Sequence, residues 1–147
     1  MEVFLANINH LERISVLFDQ YRIFYNQASN LEGAKEFLKE RFQNNDSVVF
    51  AASDNGKLIG FTQLYPSFSS VSMKRVWILN DLYVEESYRR RGIAKLLMSA
   101  AEEYAKESGA VRVILATQIS NITAQKLYEA RDYIKNEEFY HYALPLQ

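Results

Sequence analysis

The sequence predicts a single α+β domain, and three observations carry that prediction. The 147 residues are enough for one domain with a hydrophobic core and too few for two of ordinary size. Apolar segments of strand type are interleaved with segments that carry apolar residues at helical spacing. No internal repeat, low-complexity tract or linker interrupts this order. We therefore expect residues 1–147 to form one domain in which helices pack on a β-sheet.

The first third of the chain predicts a strand followed by two helices. Val3–Ile8 has the composition of a short strand. A long amphipathic helix follows, because apolar side chains recur on one face from Leu11 to Tyr25. The second helix begins at Ser29–Glu32, which has the spacing of a capping box, and continues to Phe42. We expect both helices to turn their apolar faces inward.

The middle of the chain predicts a β-hairpin and then a loop. Ser47–Ala52 and Leu58–Tyr65 read as strands, and Asn55–Gly56 between them is a strong hairpin signal. Pro66–Ser70 is predicted to be a loop, either a plain surface connection or a mobile segment on the substrate side.

The rest of the chain predicts a central strand, two more helices and two more strands. Trp77–Val84 is a long apolar segment of strand type. The helix after it starts near Ile93 and ends near Gly109, since glycine is common just after a helix. The last three elements are a strand at Val111–Ala116, a helix from about Asn121 and a strand at Phe139–Leu144.

Composition and charge exclude several classes of function. The formal net charge is −1, so the molecule as a whole is not built to bind nucleic acid or an anionic membrane. The chain has no cysteine, which excludes disulfides, thiolate metal sites and a cysteine nucleophile. His10 and His141 are too few and too scattered for a metal site or a serine triad. No signal peptide or membrane span is recognisable, so a cytoplasmic enzyme or binding module is expected.

A basic loop between a predicted strand and a predicted helix indicates a phosphate site. The first amides of a helix lack internal partners, and the helix dipole adds partial positive charge at that end. Small residues keep bulk away from this backbone, and three guanidinium groups add charge around it. The loop consists of Arg89, Arg90, Arg91, Gly92, Ile93 and Ala94. The expected ligand is a phosphorylated cofactor.

Two motifs resemble those of the GNAT superfamily, the acyl-CoA-dependent N-acyltransferases. The family pattern Gln/Arg-x-x-Gly-x-Gly/Ala is similar to Arg89–Ala94, and Asn-x-x-Ala-x-x-Leu-Tyr-Glu is similar to Asn121–Glu129. Leu82–Val84 resembles the strand end that pairs with the pantetheine arm. The resemblance covers essentially the whole chain. It implies a mixed, mostly antiparallel central sheet, about four flanking helices and a splayed cofactor cleft after the fourth strand.

The resemblance also implies an activity. It is the transfer of an acetyl group from acetyl-CoA to a primary amine of a small molecule, peptide or protein, by direct attack in a ternary complex. A catalytically weak acyl-CoA sensor or regulatory module is the alternative. A homodimer is the commonest assembly in the family, and no metal is implied. The cofactor-binding residues would be Leu82, Val84, Arg89, Arg90, Arg91, Gly92, Ile93, Ala94 and Asn121.

Two side chains are candidates for proton transfer. Tyr128 matches the tyrosine that in many family members protonates the leaving thiolate, although a helix-face aromatic is also a common core residue. Asp81 lies within an apolar strand, so it either takes the amine proton through water or serves as an ion-pair partner or cap. Glu85 and bulk water are the alternative bases. Asn121 would cap the fourth helix, contact the cofactor, or do both.

The acceptor is not identified by the sequence, although acidic Asp81, Glu85 and Glu86 favour a cationic amine. Several aromatic and polar residues are candidates for its binding site, each of which is more often a core residue. They are Tyr21, Tyr25, Gln63, Tyr65, Phe68 and Tyr140.

Two positions depart from the family pattern. Arg90 stands where members often have glycine, which places an extra side chain beside the pyrophosphate. Asp132 stands where glycine is typical after the fourth helix. Because aspartate tolerates a left-handed backbone better than most residues, we expect Asp132 to be a tolerated helix end.

Overall fold

The computed structural model describes all residues from 1 to 147, and the chain divides into two compact units, residues 1–115 and 116–147. The second unit contains one helix, α4 (Ile122–Ala130). None of the helices has the length and hydropathy needed to cross a bilayer. The elements of the first unit are β1 (Glu2–Leu5), α1 (Leu11–Phe24), α2 (Leu31–Asn44), β2 (Val48–Asp54), β3 (Lys57–Ser69), β4 (Lys74–Val84), α3 (Ile93–Glu107) and β5 (Arg112–Ile114).

The five strands form one mixed sheet in the order β1-β2-β3-β4-β5. The strands β1 to β4 are antiparallel neighbours, whereas β4 and β5 are parallel. The parallel pairing joins Val76–Ile78 to Arg112–Ile114 and goes no further. Leu79–Val84 therefore pairs with β3 alone, and its other edge has no strand beside it. This architecture confirms the predicted α+β fold with a cleft beside the fourth strand.

The two faces of the sheet are covered by different helices. Helix α3 covers one face, where Ile93 and Leu97 pack with Val84. Helices α1 and α2 cover the other face, where Tyr83 is packed against their core. Because side chains alternate along a strand, neighbouring residues at the end of β4 face different helices. The buried side chains under α1 and α2 are Ala6, Leu11, Ile14, Leu17, Phe18, Ala34, Leu38, Val49, Ala51, Leu58 and Phe61.

The start of α2 is tied to α1 through one buried carboxylate. Asn30 is the N-cap, and its side chain accepts from the Gly33 amide at 2.9 Å. Asp19 of α1 accepts from the Ser29 hydroxyl at 2.7 Å and from the Asn30 amide at 2.8 Å. These hydrogen bonds, that from Ser29 first, lower the pKa of Asp19. The capping segment predicted at residues 29–32 therefore also connects the two helices.

Other predicted boundaries are close to those of the structure. The hairpin between β2 and β3 is present, with Asn55 at φ 50° and Gly56 at φ 83°, as a two-residue turn of this type requires. Gly109 follows α3 with φ 79°. The first strand is shorter than predicted, because Ile8 begins a 3-10 turn capped by the side chain of Asn7.

The predicted loop at Pro66–Ser70 is wrong for all but its last residue. Pro66–Ser69 continues β3 and pairs with Lys74–Trp77 of β4. Proline is tolerated at this point because the pairing of β2 with β3 ends at Leu64, so one edge of β3 needs no ladder donor. The connection between β3 and β4 lies at residues 70–73 instead.

Two strands predicted near the C-terminus also need correction. β5 covers Arg112–Ile114 and not the whole of Val111–Ala116, and Phe139–Leu144 forms no strand. The alternation of apolar residues in the latter segment suits a strand. A strand also needs a partner for its backbone amides and carbonyls, however, and no strand of the sheet pairs with this segment. Periodicity alone does not supply that partner.

Candidate active site

The loop between β4 and α3 presents free backbone amides. Gly92 is the N-cap of α3 with φ 78°, and no side chain caps this helix. The first hydrogen bond of the helix runs from the Leu96 amide to the Gly92 carbonyl at 3.2 Å. The amides of residues 93–95 have no acceptor in the chain, so they remain available to an anion. The Ile93 side chain is buried between α3 and the sheet, which leaves only its backbone to contact a ligand.

Glycine conformation explains much of this loop. An added Cβ at Gly92 would meet no atom within 4 Å, so space does not demand glycine there, but the left-handed φ does. Arg90 also has a left-handed φ, at 65°. The family preference for glycine at the position of Arg90 is therefore a preference for this backbone. Arg90 is exposed and makes no side-chain hydrogen bond or ion pair, whereas the Arg91 guanidinium lies 5.2 Å over the Tyr88 ring.

The Arg89 side chain points to the face of β4 that α1 covers. Its Nε donates to the Val84 carbonyl at 2.8 Å. Its guanidinium lies over the rings of Phe24 and Tyr83, at 5.3 and 5.4 Å from their centroids. The Arg89 and Arg91 guanidinium groups therefore lie against different rings, and Arg90 is exposed. Arg89 joins the phosphate-type loop to the end of α1.

The edge of β4 next to this loop contains a β-bulge. Gln63 lies opposite Asp81 and Leu64 lies opposite Leu79, so Asn80 is an extra residue on β4. Beyond the bulge, Leu82 and Val84 turn toward the α3 side of the sheet. The unpaired backbone edge of residues 79–84 therefore runs toward the amides at the start of α3.

Asp81 is a buried carboxylate that is held only by neutral donors. Its residue is 6% exposed. Gln63 Nε2 donates to Oδ2 at 2.9 Å and Asn80 Nδ2 donates to Oδ1 at 3.2 Å. The Tyr21 side chain lies close enough to this carboxylate for the charge of Asp81 to act on its hydroxyl. None of the ion pairs in the structure involves Asp81, so the structural ion pair considered for it is not formed.

The two tyrosines near Asp81, Tyr21 and Tyr65, are half-buried and stay protonated at neutral pH. Burial, and then the negative charge of Asp81, raises the pKa of Tyr21. Burial, followed by the same charge, raises the pKa of Tyr65 to about 12. Gln63 has no exposed surface, and its Oε1 has no hydrogen-bond partner. The cluster therefore holds an anion and a spare acceptor but no cation, an arrangement suited to a positively charged ligand.

Two adjoining grooves lie on the α1 side of β4, with volumes of about 550 and 370 Å³. Both are lined by Gln20, Tyr83 and Glu86. The larger groove is also lined by Glu85 and Ser87, and the smaller one by Ile23, Phe24 and Arg89. The Gln20 Oε1 atom is buried and has no partner. Glu85 is paired with Lys57 at 3.4 Å, whereas Glu86 forms no ion pair.

The second unit contains the other predicted motif. The Asn121 side chain accepts from the Ala124 amide at 3.1 Å and so caps α4. Tyr128 lies on α4, with its ring centroid 6.1 Å from that of Tyr133. Asp132 follows the helix with φ 69°, the left-handed conformation expected for a residue in the place of glycine.

The structure separates the residues proposed for acceptor binding. Tyr21, Gln63 and Tyr65 surround Asp81, and Tyr25 packs edge-on to Tyr21 at 5.1 Å. Phe68 lies elsewhere, under the Arg75 guanidinium near the far end of β3. Tyr140 belongs to the second unit. Gln20 was missed by the sequence analysis, because one polar residue on an amphipathic helix resembles any solvent-facing position. No group of three metal-ligating side chains is present.

Comparison with known proteins identifies the family. The model of the acetyltransferase (GNAT) family matches residues 14–133. The uncharacterized N-acetyltransferase YhfO of Bacillus subtilis is 49% identical over 144 residues, which are 98% of this chain and 97% of that protein. The crystal structure of a probable acetyltransferase is 42% identical, with a TM-score of 0.95 over 100% of this chain and 99% of that one.

A more distant structure extends the comparison to a CoA complex. An aminoglycoside N-acetyltransferase in complex with CoA is 23% identical, with a TM-score of 0.81 over 97% of this chain and 93% of that one. At this identity the likeness concerns the fold. The family match and the relatives of higher identity show that the chain is an acyltransferase that belongs to the GNAT acetyltransferase family.

Proposed function

We propose that the protein transfers the acetyl group of acetyl-CoA to a primary amine, which attacks the thioester directly in a ternary complex. The observation that supports this most is the pairing of two binding elements in one segment: free amides at the start of α3 and an unpaired backbone edge on β4. Family membership supports acyl-CoA as the donor. So does the structure of the aminoglycoside acetyltransferase, which contains CoA.

Each binding element has a part in holding the donor. The amides of residues 93–95 and the guanidinium of Arg90 bind the pyrophosphate, and Gly92 supplies the backbone conformation that points them outward. Leu82 and Val84 hydrogen-bond the pantetheine arm through their backbone. An amide near Val84 polarises the thioester carbonyl. Arg89, Arg91 and Ala94 shape the loop, and Asn121 contacts the donor while it caps α4.

The reaction needs two proton transfers. The amine nitrogen forms a bond to the carbonyl carbon, the carbon–sulfur bond breaks, and the products are an amide and the thiol of CoA. Asp81 takes the proton that the amine loses, through a water molecule, and Tyr128 gives a proton to the departing sulfur. Asp81 is a buried carboxylate without a partner cation, which suits it to receive the proton of the amine, because its negative charge attracts the ammonium form as the amine arrives. Glu85 and bulk water are the alternative bases.

The comparisons do not choose the acceptor. Distant relatives are named as a thialysine N-epsilon-acetyltransferase from Caenorhabditis elegans and an L-ornithine N5-acetyltransferase from Arabidopsis thaliana. All of these names, like that of the aminoglycoside enzyme, specify an amine. The proposal takes residues 1–147 as one acetyltransferase domain that acts in the cytoplasm as a homodimer. An acyl-CoA sensor without turnover is the competing function.

Release of free CoA tests the proposal. The protein is incubated with acetyl-CoA and a panel of amines, and the thiol is measured with a chromogenic reagent while the product is identified by mass. We expect one equivalent of thiol for each acetylated amine. Tight binding of acetyl-CoA in calorimetry, with no amine acetylated, would favour the sensor. No binding of acetyl-CoA at all would contradict both functions.

A further inference from the structure

The side chain of Arg89 is the one cation that lines the grooves beside Tyr83. We propose that it binds a carboxylate of the acceptor, so that the acceptor is a small amine that also carries a carboxylate, such as a diamino acid. This inference rests on the proposed acetyl transfer and names the substrate class for the same site.

Arg89 keeps most of its hydrogen-bond donors free for a ligand. A guanidinium has five N–H groups in a fixed plane, and the Val84 carbonyl takes only the one on Nε. No carboxylate of the chain forms an ion pair with Arg89, although Glu86 lines the same groove. The four N–H groups on the two terminal nitrogens are therefore free, and they form the planar fork that matches a carboxylate.

The guanidinium of Arg89 is held in place before a ligand binds. The Nε hydrogen bond and the rings of Phe24 and Tyr83 restrain the guanidinium from three directions. A long side chain that is ordered before binding loses less conformational entropy when its ligand arrives. Arg89 and Arg90 are both exposed, but Arg90 makes no such contact, as expected for a residue that meets a flexible phosphate. Arg89 is therefore preorganised for a ligand in the groove.

Arg89 and the free amides of α3 lie on opposite faces of the sheet. Its guanidinium lies against Tyr83, which packs on the α1 side, whereas α3 and its free amides cover the opposite side. The pyrophosphate has its own partners in those amides. A second anion is thus the natural ligand for Arg89, and a carboxylate on the acceptor supplies one.

The rest of the groove suits the amine end of such a molecule. Glu86 is unpaired, and Gln20 Oε1 is a buried acceptor without a donor. The Tyr21 ring centroid lies 6.1 Å from that of Tyr83, and the Tyr21 hydroxyl feels the charge of Asp81, so Tyr21 connects the groove wall to this carboxylate. The groove beside Tyr83 is therefore lined both by hydrogen-bond acceptors, on Gln20 and Glu86, and by the hydrogen-bond donors of Arg89. A ligand with both charges satisfies both sets, whereas a simple polycation leaves Arg89 unpaired.

Matched pairs of amines test the inference. Lysine and cadaverine differ only in the carboxylate, and so do ornithine and putrescine. At saturating acetyl-CoA we expect the amino acid of each pair to have a kcat/KM higher by about ten- to a hundredfold, the range for one charge-assisted interaction. In Arg89→Gln this preference should fall to within about twofold, because any change in the binding of acetyl-CoA affects both amines of a pair alike. Arg89→Lys, which keeps the charge but not the fork, should retain part of it.

The controls separate this proposal from acetyl transfer itself. Arg13→Gln removes a charge at the far end of α1, where the side chain bonds to the Gly56 carbonyl, and should leave the preference intact. Thermal melting checks that each variant is folded. The same pairs are titrated calorimetrically into CoA-loaded protein, so that the ranking is measured even if no amine is acetylated. Equal binding of both members of a pair to the wild type would overturn the inference, whether or not turnover is seen.

A second result would also overturn it. If Arg89→Gln raised the KM for acetyl-CoA and lowered kcat/KM equally for lysine and cadaverine, Arg89 would serve the pyrophosphate and not the acceptor.

Discussion

The two faces of β4 differ in how their binding groups are built. On the α3 side, the binding groups belong to consecutive residues from Arg90 to Lys95 and are mainly backbone amides. On the α1 side, side chains from distant parts of the chain meet at Asp81 and Tyr83. In the proposed function, backbone groups recognise a feature that every acyl-CoA shares, whereas side chains are replaced one at a time. The proposal therefore implies a fixed donor and an acceptor that is free to change.

The largest effect is expected from a change on the donor side. Gly92→Glu brings a negative charge to the free amides of α3, each of which contributes about 1.5–3 kcal/mol to an anion. We expect acetyl-CoA affinity to fall by at least about a thousandfold in calorimetry.

Gly109→Glu is its matched control. Gly109 has φ 79° against 78° for Gly92, and an added Cβ meets no atom within 4 Å at either position. Both variants should therefore lose a similar stability, about 1 kcal/mol, and only Gly92→Glu should lose the ligand. Equal loss of affinity in both would mean that backbone strain, and not the site, is responsible.

Asp81→Asn probes the acceptor side and should lower kcat by about a hundredfold or more at neutral pH. The rate should partly recover at higher pH, where more of the amine is already neutral. Because no cation pairs with Asp81, removing its charge should leave the melting temperature unchanged or raise it. Asp54→Asn, at the hairpin, removes a charge away from the cluster and should leave the pH–rate profile unaltered. A lower melting temperature with an unaltered profile in Asp81→Asn would move the base to Glu85 or water.

Tyr128→Phe should have a smaller effect on turnover, about ten- to a hundredfold in kcat, because a thiolate leaves readily without full protonation. The affinity for acetyl-CoA should change little, since the ring is kept. Tyr133→Phe alters the neighbouring ring on the same segment and serves as the comparison. If the two variants turned over equally fast, Tyr128 would be a packing residue.

The smallest effect is expected away from both sites, at the carboxylate that joins α1 to α2. Asp19→Asn replaces one of the two acceptor oxygens of the Ser29 and Asn30 hydrogen bonds by an amide nitrogen, which cannot accept, and should lower the free energy of unfolding by about 1–2 kcal/mol at neutral pH. The folded state lowers the pKa of Asp19, so this contribution is present above the unfolded pKa, about 3.9, and is lost as the pH falls through the folded value. Urea melts of both proteins should therefore show a difference in the free energy of unfolding at pH 7 that disappears below pH 3. A constant difference would show that Asp19 does not titrate in this way.

The same contrast explains what could be predicted from sequence. The conformation of the loop before α3 could be predicted because its residues are consecutive and its structure is local. Asp81 was detectable as an acid within an apolar strand. Its neutral surroundings, and the turn of Arg89 toward Phe24, depend on residues of other strands and helices and follow only from the packed structure.

The errors in the fold have a similar cause. Pro66 indicated a loop, but the early end of β2 makes one edge of β3 tolerant of proline. Residues 139–144 have a strand pattern but no partner strand in the sheet. In both cases the outcome is decided by what lies beside the segment and not by its own composition.

The central claim is that donor and acceptor bind to opposite faces of β4, and amide chemical shifts measure this most directly. In a titration of ¹⁵N-labelled protein with CoA, we expect the largest changes at Leu82, at Val84 and at residues 90–96. Lysine, added to the CoA complex, should instead shift Gln20, Tyr83, Glu86 and the side chain of Arg89. Shifts of the same residues by both ligands, or changes from lysine that are confined to the α3 side, would contradict the account.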